Sequence, residues 1–355
     1  MSSPLRQRWW VRLRGASLRG RLRGRGGAWR LAAVALLLAA ALANPRFPMQ
    51  RQLYEHLVVL DITQSMDVQD QQLDGRPASR LQAAKRALHG ALLALPCGSR
   101  VGWAVFTEHR SFVLFNPVEV CEHLGELRDS LAHIDGRMAW LGNSEIAKGL
   151  HATLRQAAKT PRKPSVLFIT DGHESPPLDP KQRPSFGGEP GEVAGLIVGV
   201  GGLVAQPIPR SDPMGRPLGV WAADQVAQVD PFSQGRGGSV SGETMSDGRT
   251  AAATAPGATP GSEHLSSLRE GYLRLLAGET GLAYTAFSGE ASMAAALTHP
   301  ALARPVPSQA PLRPWLAGTA LLVLLAHVLG AGLGRLRQGR MPGFRRLPFA
   351  PGTSR

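Results

Sequence analysis

The sequence predicts an α/β fold: a doubly wound, mostly parallel sheet with one antiparallel edge strand, flanked by an N-terminal and a C-terminal membrane helix. Three observations predict it. Short apolar runs, "EHLVVLDI", "PSVLFITDG" and "VAGLIVGVGG", stop abruptly at an acid or at glycines, as strands buried on both faces of a parallel sheet do. Segments of helical period lie between these runs. Two further apolar stretches, each beside an arginine-rich tail, stand outside the alternation.

The elements follow in order. Residues 1–30 hold nine arginines and no acid, a basic leader. "LAAVALLLAAALA", residues 31–43, is only 13 residues long. It reads as a short transmembrane anchor or as the core of a signal segment, since Ala41-Leu42-Ala43 has the small-x-small form of a cleavage site. The region 55–290 carries the alternation. "EHLVVLDI" is the first buried strand. "ASRLQAAKRALHGALLAL" places Leu81, Ala84, Leu88, Leu92 and Leu95 on one helical face, and Pro96 ends it. "RVGWAVFTE" and "RSFVLFNPV" are two strands around a tight turn near His109 and Arg110, an antiparallel pair. "EHLGELRDSLAHI" is a helix, and "SEIAKGLHATLRQAAK" is another, with Ile146, Leu150 and Leu154 on one face. Two core strands follow. Residues 203–262 are an irregular insertion rich in Pro, Gly, Ser and Ala, ordered around Pro207 to Trp221 and flexible around Pro231 to Gly261. "HLSSLREGYLRLLAGET" is a late helix and "GLAYTAF" the last strand. "WLAGTALLVLLAHVLGAGLG", residues 315–334, has no formal charge and the length a bilayer core requires. Its one polar residue of note, His327, is read as a neutral histidine near the end of the span. Residues 335–355 are a basic tail.

The net charge of +14 and the pI near 11.1 suggest an anionic partner such as nucleic acid. Their distribution argues for a membrane instead. The two tails hold 15 arginines and no acid, so the chain between them stands near −1. Basic residues gather on the cytoplasmic side of a membrane. Both termini are therefore expected in the cytoplasm of a bacterium, with residues 45–310 in the periplasm. Cys97 precedes one predicted strand and Cys121 follows the next. If those strands form a hairpin their outer ends meet, and an oxidising compartment makes a disulfide reasonable. Their spacing fits no CxxC metal site.

Three pieces carry the chemistry. Asp61, Thr63 and Ser65 form D-x-T-x-S at the end of the first strand. Ser144 starts a helix behind a Gly-Asn loop. Asp171 follows a strand and precedes Gly172. In an α/β sheet these loops share one edge, the carboxyl ends of the strands, where ligands sit. Singly, each is also an ordinary cap or turn residue. Together, two carboxylates and three hydroxyls are hard oxygen ligands suited to Mg²⁺ or Ca²⁺. Asp67 and Asp70 are expected to face solvent, and His173, Glu174 and Ser175 to form a polar loop beside the site.

This pattern resembles the von Willebrand factor type A (VWA) domain, a Rossmann-like fold, and its metal-ion-dependent adhesion site, whose motif is DxSxS, then a threonine, then an aspartate. Here Thr63 replaces a serine and Ser144 the threonine, each keeping its hydroxyl. The resemblance implies that Ser65, Thr63 and Ser144 hold the metal directly while Asp61 and Asp171 act largely through water. It also implies an open coordination position for an Asp or Glu of a protein partner. "IVGVGGLVAQPIPRSDPMGRPLG" and "LREGYLRLLAGETGLAY" look like bacterial VWA membrane proteins of the Bat type, which are associated with MoxR-type AAA+ ATPases and with other VWA membrane proteins. "VVLDITQSMDVQD" and "NSEIAKGL" look closer to the VWA proteins of methanol-oxidation clusters. Those are thought to mature a calcium- and quinone-containing periplasmic dehydrogenase. The chain is thus expected to be a non-enzymatic assembly factor, or alternatively a metal-independent scaffold. Two enzyme readings fail. "LDIT" resembles the haloacid-dehalogenase phosphatases, but Thr63 stands where their second aspartate must be. "GVGG" lacks the full dinucleotide-binding spacing, because position 204 is Val204.

Overall fold

The structure is a computed structural model and describes residues 18–140, 142–178, 183–228 and 262–338. In chain order its helices are α1 (Leu18–Leu42), α2 (Arg80–Ala91), α3 (Leu124–His133), α4 (Ile146–Lys159), α5 (Glu270–Thr280), α6 (Glu290–Leu297) and α7 (Arg313–Gln338). Its first strands are β1 (Arg46–Leu53), β2 (Glu55–Asp61), β3 (Gln71–Leu73), β4 (Arg76–Ala78), β5 (Arg100–Thr107), β6 (Arg110–Val113), β7 (Val118–Glu119), β8 (Ser165–Thr170) and β9 (Gly195–Gly199). The later strands are β10 (Gln206–Pro207), β11 (Pro209–Ser211), β12 (Pro217–Val220), β13 (Leu265–Ser266), β14 (Ala283–Ala286) and β15 (Arg304–Pro311).

The chain divides into two compact units, residues 51–306 and the two ends, 1–50 with 307–355. In the unit of the ends, Arg313–Gly330 of α7 is long and apolar enough to cross a membrane, and Ala28–Leu42 of α1 is a shorter apolar stretch.

In the unit 51–306 a seven-stranded sheet runs β14-β9-β8-β2-β5-β6, with β7 also on β5. Strands β14, β9, β8, β2 and β5 are parallel, while β6 and β7 run antiparallel to β5. This is the mixed, mainly parallel sheet that the sequence predicts. Alternation along each strand makes two cores. On one face Leu57, Val59, Phe106 and Phe168 pack on Ile146, Leu150 and Leu154 of α4 and on Leu273 and Leu276 of α5. On the other, Val58, Leu60, Trp103 and Ile169 pack on Leu81 and Leu88 of α2, on Leu127 of α3 and on Met293 of α6. With both faces covered, every residue of β2 and β8 is buried. Chain order reverses at β2: β5 lies on one side and β8 on the other, so the carboxyl ends of β2 and β8 meet at the switch point.

Local chemistry fixes the ends. Ser79 and Gln82 form a reciprocal capping box at the start of α2, at 3.1 and 3.2 Å. Gly281, at φ 73°, closes α5 in the left-handed conformation that glycine adopts without strain. Cys97 and Cys121 are joined in a disulfide, with Cα atoms 5.3 Å apart.

Some expectations are corrected. The late helix does not start at His264 but at Glu270, because Leu265 and Ser266 pair with Gln206 and Pro207. The run "RSFVLFNPV" divides into β6 and β7, with Asn116-Pro117 just before β7. Helix α6 and the hairpin β3–β4, turned at Asp74-Gly75 with φ 51° and 75°, were not foreseen. The insertion is ordered as expected between Gln206 and Trp221, where it forms three short strands. The flexible stretch expected around Pro231 to Gly261 lies outside the described residues, as do most of both basic tails.

Candidate metal centre

Strand β2 delivers Asp61, fully buried, to the switch point. Its Oδ1 accepts from the Thr63 backbone N–H at 3.0 Å and from Thr63 Oγ1 at 2.7 Å, and its Oδ2 accepts from Thr170 Oγ1 at 2.6 Å. Burial and the neighbouring Asp171 charge push Asp61 up to about 7, against these three hydrogen bonds. Ser65 sits in the 3₁₀ turn Gln64–Asp67, which starts one residue beyond Thr63. Its Oγ donates to Asp171 Oδ1 at 3.2 Å, and the His173 N–H donates to the same oxygen at 3.0 Å. Thr63 Oγ1 and Ser65 Oγ are 3.2 Å apart. Each hydroxyl thus has a carboxylate behind it to take its proton, leaving oxygen lone pairs for a cation in front.

Ser144 reaches the same place by a different route. Its backbone exchanges two hydrogen bonds with Ser175, both 2.7 Å, while Glu145 N–H donates to the Glu108 carbonyl at 2.6 Å. Ser175 lies in the loop of Asp171, so the two loops are laced together. Glu174 adds a second tie. Its carboxylate accepts from the N–H groups of Ile146 and Ala147 at 2.9 and 3.0 Å, capping α4, and from the Tyr272 hydroxyl of α5 at 2.5 Å. Burial pushes Glu174 up to about 7. Ser144 Oγ is itself buried and has no hydrogen-bond partner among the described residues. Thr63, Ser65 and Ser144 line one cavity of about 320 Å³. All five sequence-predicted residues are therefore brought to one site. Among the described residues there is no group of three His, Cys, Asp or Glu side chains fit to hold a metal, so the hydroxyls must carry any cation reading. The buried, unpartnered Ser144 Oγ fits a hard cation.

Sequence reasoning missed Arg80, a fully buried cation inside this network. Its Nη1 donates to Asp171 Oδ2 at 2.5 Å, to Ser266 Oγ at 2.7 Å and to the Ser65 carbonyl at 3.3 Å. Its Nη2 and Nε donate to Asp70 Oδ2 at 2.7 and 3.0 Å. Burial alone would raise Asp171; the Arg80 charge overrides it and holds the carboxyl below the usual range. Asp70 is thus an ion-pair partner, which also accepts from the Gly202 N–H at 2.7 Å, and not a solvent-facing acid. Asp67 is half-buried, pushed up to about 6 by burial and by Asp135. The signal for Arg80 was its position. Directly after the cap Ser79 and at the positive end of a helix, a cation is misplaced unless anions surround it. The loop after Asp171 divides as neighbours in sequence do: His173 lines the cavity, with Nε2 4.0 Å from Glu263, while Glu174 turns to α4 and α5.

No curated protein matches the chain. Solved structures resemble it distantly. The aerotolerance-related membrane protein of Bacteroides fragilis is 20% identical with a TM-score of 0.42, the match covering 69% of this chain and 96% of that one. The manganese-loaded TRAP protein of Plasmodium vivax is 10% identical with a TM-score of 0.34, covering 75% and 81%. A membrane-spanning protein of Vibrio fischeri is 15% identical with a TM-score of 0.25, covering 68% and 95%. The sequence itself is more direct: residues 56–173, which contain Asp61, Thr63, Ser65, Ser144 and Asp171, match the family model of the von Willebrand factor type A domain. Over these residues the chain is therefore similar to the von Willebrand factor type A domain.

Proposed function

We propose that this chain is a membrane-anchored VWA protein that binds a protein partner through a divalent cation and does no catalysis of its own. The observation that carries this reading is the pair of hydroxyl-to-carboxylate contacts, Thr63 on Asp61 and Ser65 on Asp171, with the buried, unpartnered Ser144 Oγ in the same cavity. Thr63, Ser65 and Ser144 would hold Mg²⁺ or Ca²⁺, with Asp61 and Asp171 behind them. The bound ion would supply an electrophilic position for an Asp or Glu of the partner. The span Arg313–Gly330 supports a membrane anchor. The Cys97–Cys121 disulfide supports a periplasmic setting, where thiols are oxidised, and the basic tails support cytoplasmic termini. By the resemblance drawn from sequence, the role is assembly or maturation of a periplasmic enzyme, such as a calcium- and quinone-containing methanol dehydrogenase. A MoxR-type AAA+ ATPase and other VWA membrane proteins are the expected associates.

The test is titration of Mg²⁺ and Ca²⁺ into the full chain in detergent micelles, followed by calorimetry, with Asp61→Ala as control. Saturable heat in the wild type and none in the variant supports the reading; none in either sinks it. One observation favours a second reading, a metal-independent scaffold: Arg80 already balances Asp171 from within. That reading expects partner binding to survive chelation, which a pull-down with and without EDTA decides.

A further inference from the structure

We infer that Glu263 is a ligand supplied by the chain itself to the cation of this centre, standing where a partner's carboxylate would enter. The inference rests on the metal reading above. Of the described residues lining the cavity, Glu263 alone offers a carboxylate, because Asp61 and Asp171 lie behind their hydroxyls. A hard dication held by three neutral hydroxyls calls for an anionic oxygen in front of it. Glu263 is 4% exposed, and its carboxylate lies 4.0 Å from His173 Nε2. The His173 amide in turn donates to Asp171 at 3.0 Å, so Glu263 is one residue removed from the centre.

The same part of the chain also lines the cavity. Ile208 and Trp221 line it, and the Trp221 indole N–H donates at 2.5 Å to Gln64, the residue between Thr63 and Ser65. Ile208 N–H donates to the carbonyl of His264, next to Glu263, at 3.1 Å, and Trp221 N–H donates to the Ile208 carbonyl at 3.0 Å. These lining residues and the carboxylate are one hydrogen-bonded piece. An acidic partner must displace this carboxylate, so the resting site is liganded by its own chain and partner binding is a competition.

The experiment uses the full chain in detergent micelles with Mn²⁺ as the probe. Affinity and the water-proton relaxivity of the bound ion are measured for wild type, Glu263→Gln, Glu263→Asp and Asp61→Ala. Glu263→Gln is expected to weaken Mn²⁺ by at least about tenfold and to raise relaxivity as water replaces the carboxylate. Glu263→Asp is expected to fall between it and the wild type. An unchanged melting temperature separates ligand loss from unfolding. If both Glu263 variants match the wild type in affinity and relaxivity while Asp61→Ala binds nothing, the inference falls and the metal reading stands. If the wild type binds no Mn²⁺, both fall.

Discussion

Arg80 starts helix α2 buried among anions, and its forked guanidinium reaches Asp70, Asp171 and Ser266 at once. Removing it leaves a buried carboxylate without its cation, a change that costs about 3–5 kcal/mol. Arg80→Met is therefore expected to lower the urea midpoint sharply. Arg80→Lys, a point charge without the fork, is expected to recover only part of the loss. His56 gives a pH dependence. Its ring nitrogens meet Ser165 Oγ at 2.6 Å and the Leu297 carbonyl at 2.8 Å, and burial lowers its pKa from 6.5 to about 4. The unfolded chain binds this proton near pH 6.5 and the fold only near pH 4. The His56 contribution to stability is thus full above pH 6.5 and falls by up to about 3 kcal/mol as the pH drops toward 4, read as the difference between wild type and His56→Asn. Urea midpoints at pH 7 and 4.5 read this, and His56→Asn is expected to flatten the slope. The residues legible in the sequence were those in one local pattern at a strand end, Asp61, Thr63 and Ser65, and those with the matching position on other loops, Ser144 and Asp171. Ser266 and Glu263 were not legible, since they join the site from a segment far along the chain, Ser266 lying 95 residues beyond Asp171, and no local pattern announces it.

Among the elements, α4 packs closely on the sheet at Gly149. A Cβ at Gly149 would run into the ring of Phe106 on β5. Gly→Ala inside a helix ordinarily gains about 1 kcal/mol. Here overpacking reverses the sign, and Gly149→Ala is expected to destabilise by about 1–3 kcal/mol, seen as a lower melting temperature. The disulfide joins positions 24 apart, before β5 and after β7. Reducing it, or Cys97→Ser with Cys121→Ser, is expected to cost about 3 kcal/mol. Strands β2, β8 and β9 were legible because burial on both faces leaves a continuous apolar run. Strand β13 was hidden because its two residues adjoin a segment of helical period, and only pairing with β10 makes it a strand. Helix α6, "EASMAAAL", is too short and too uniformly apolar for its period to stand out.

For the whole molecule, composition pointed to a membrane through the placement of its arginines more than through their number. If α7 is the anchor, the full chain is expected to stay in the membrane pellet after alkaline carbonate washing. A chain ending before Arg313, held only by the short apolar part of α1, is expected to be retained less completely. The doubly wound sheet explains why a site built from three distant segments is coherent. Chain order reverses at β2, and the loops after β2 and β8 open on the same crevice. The reciprocal bond between Ser144 and Ser175 has a consequence in time as well as in space. Neither amide can exchange its hydrogen with solvent unless the other's bond is also let go. The two are expected to share one protection factor and one exchange clock, a single opening event at which both walls of the cavity part together.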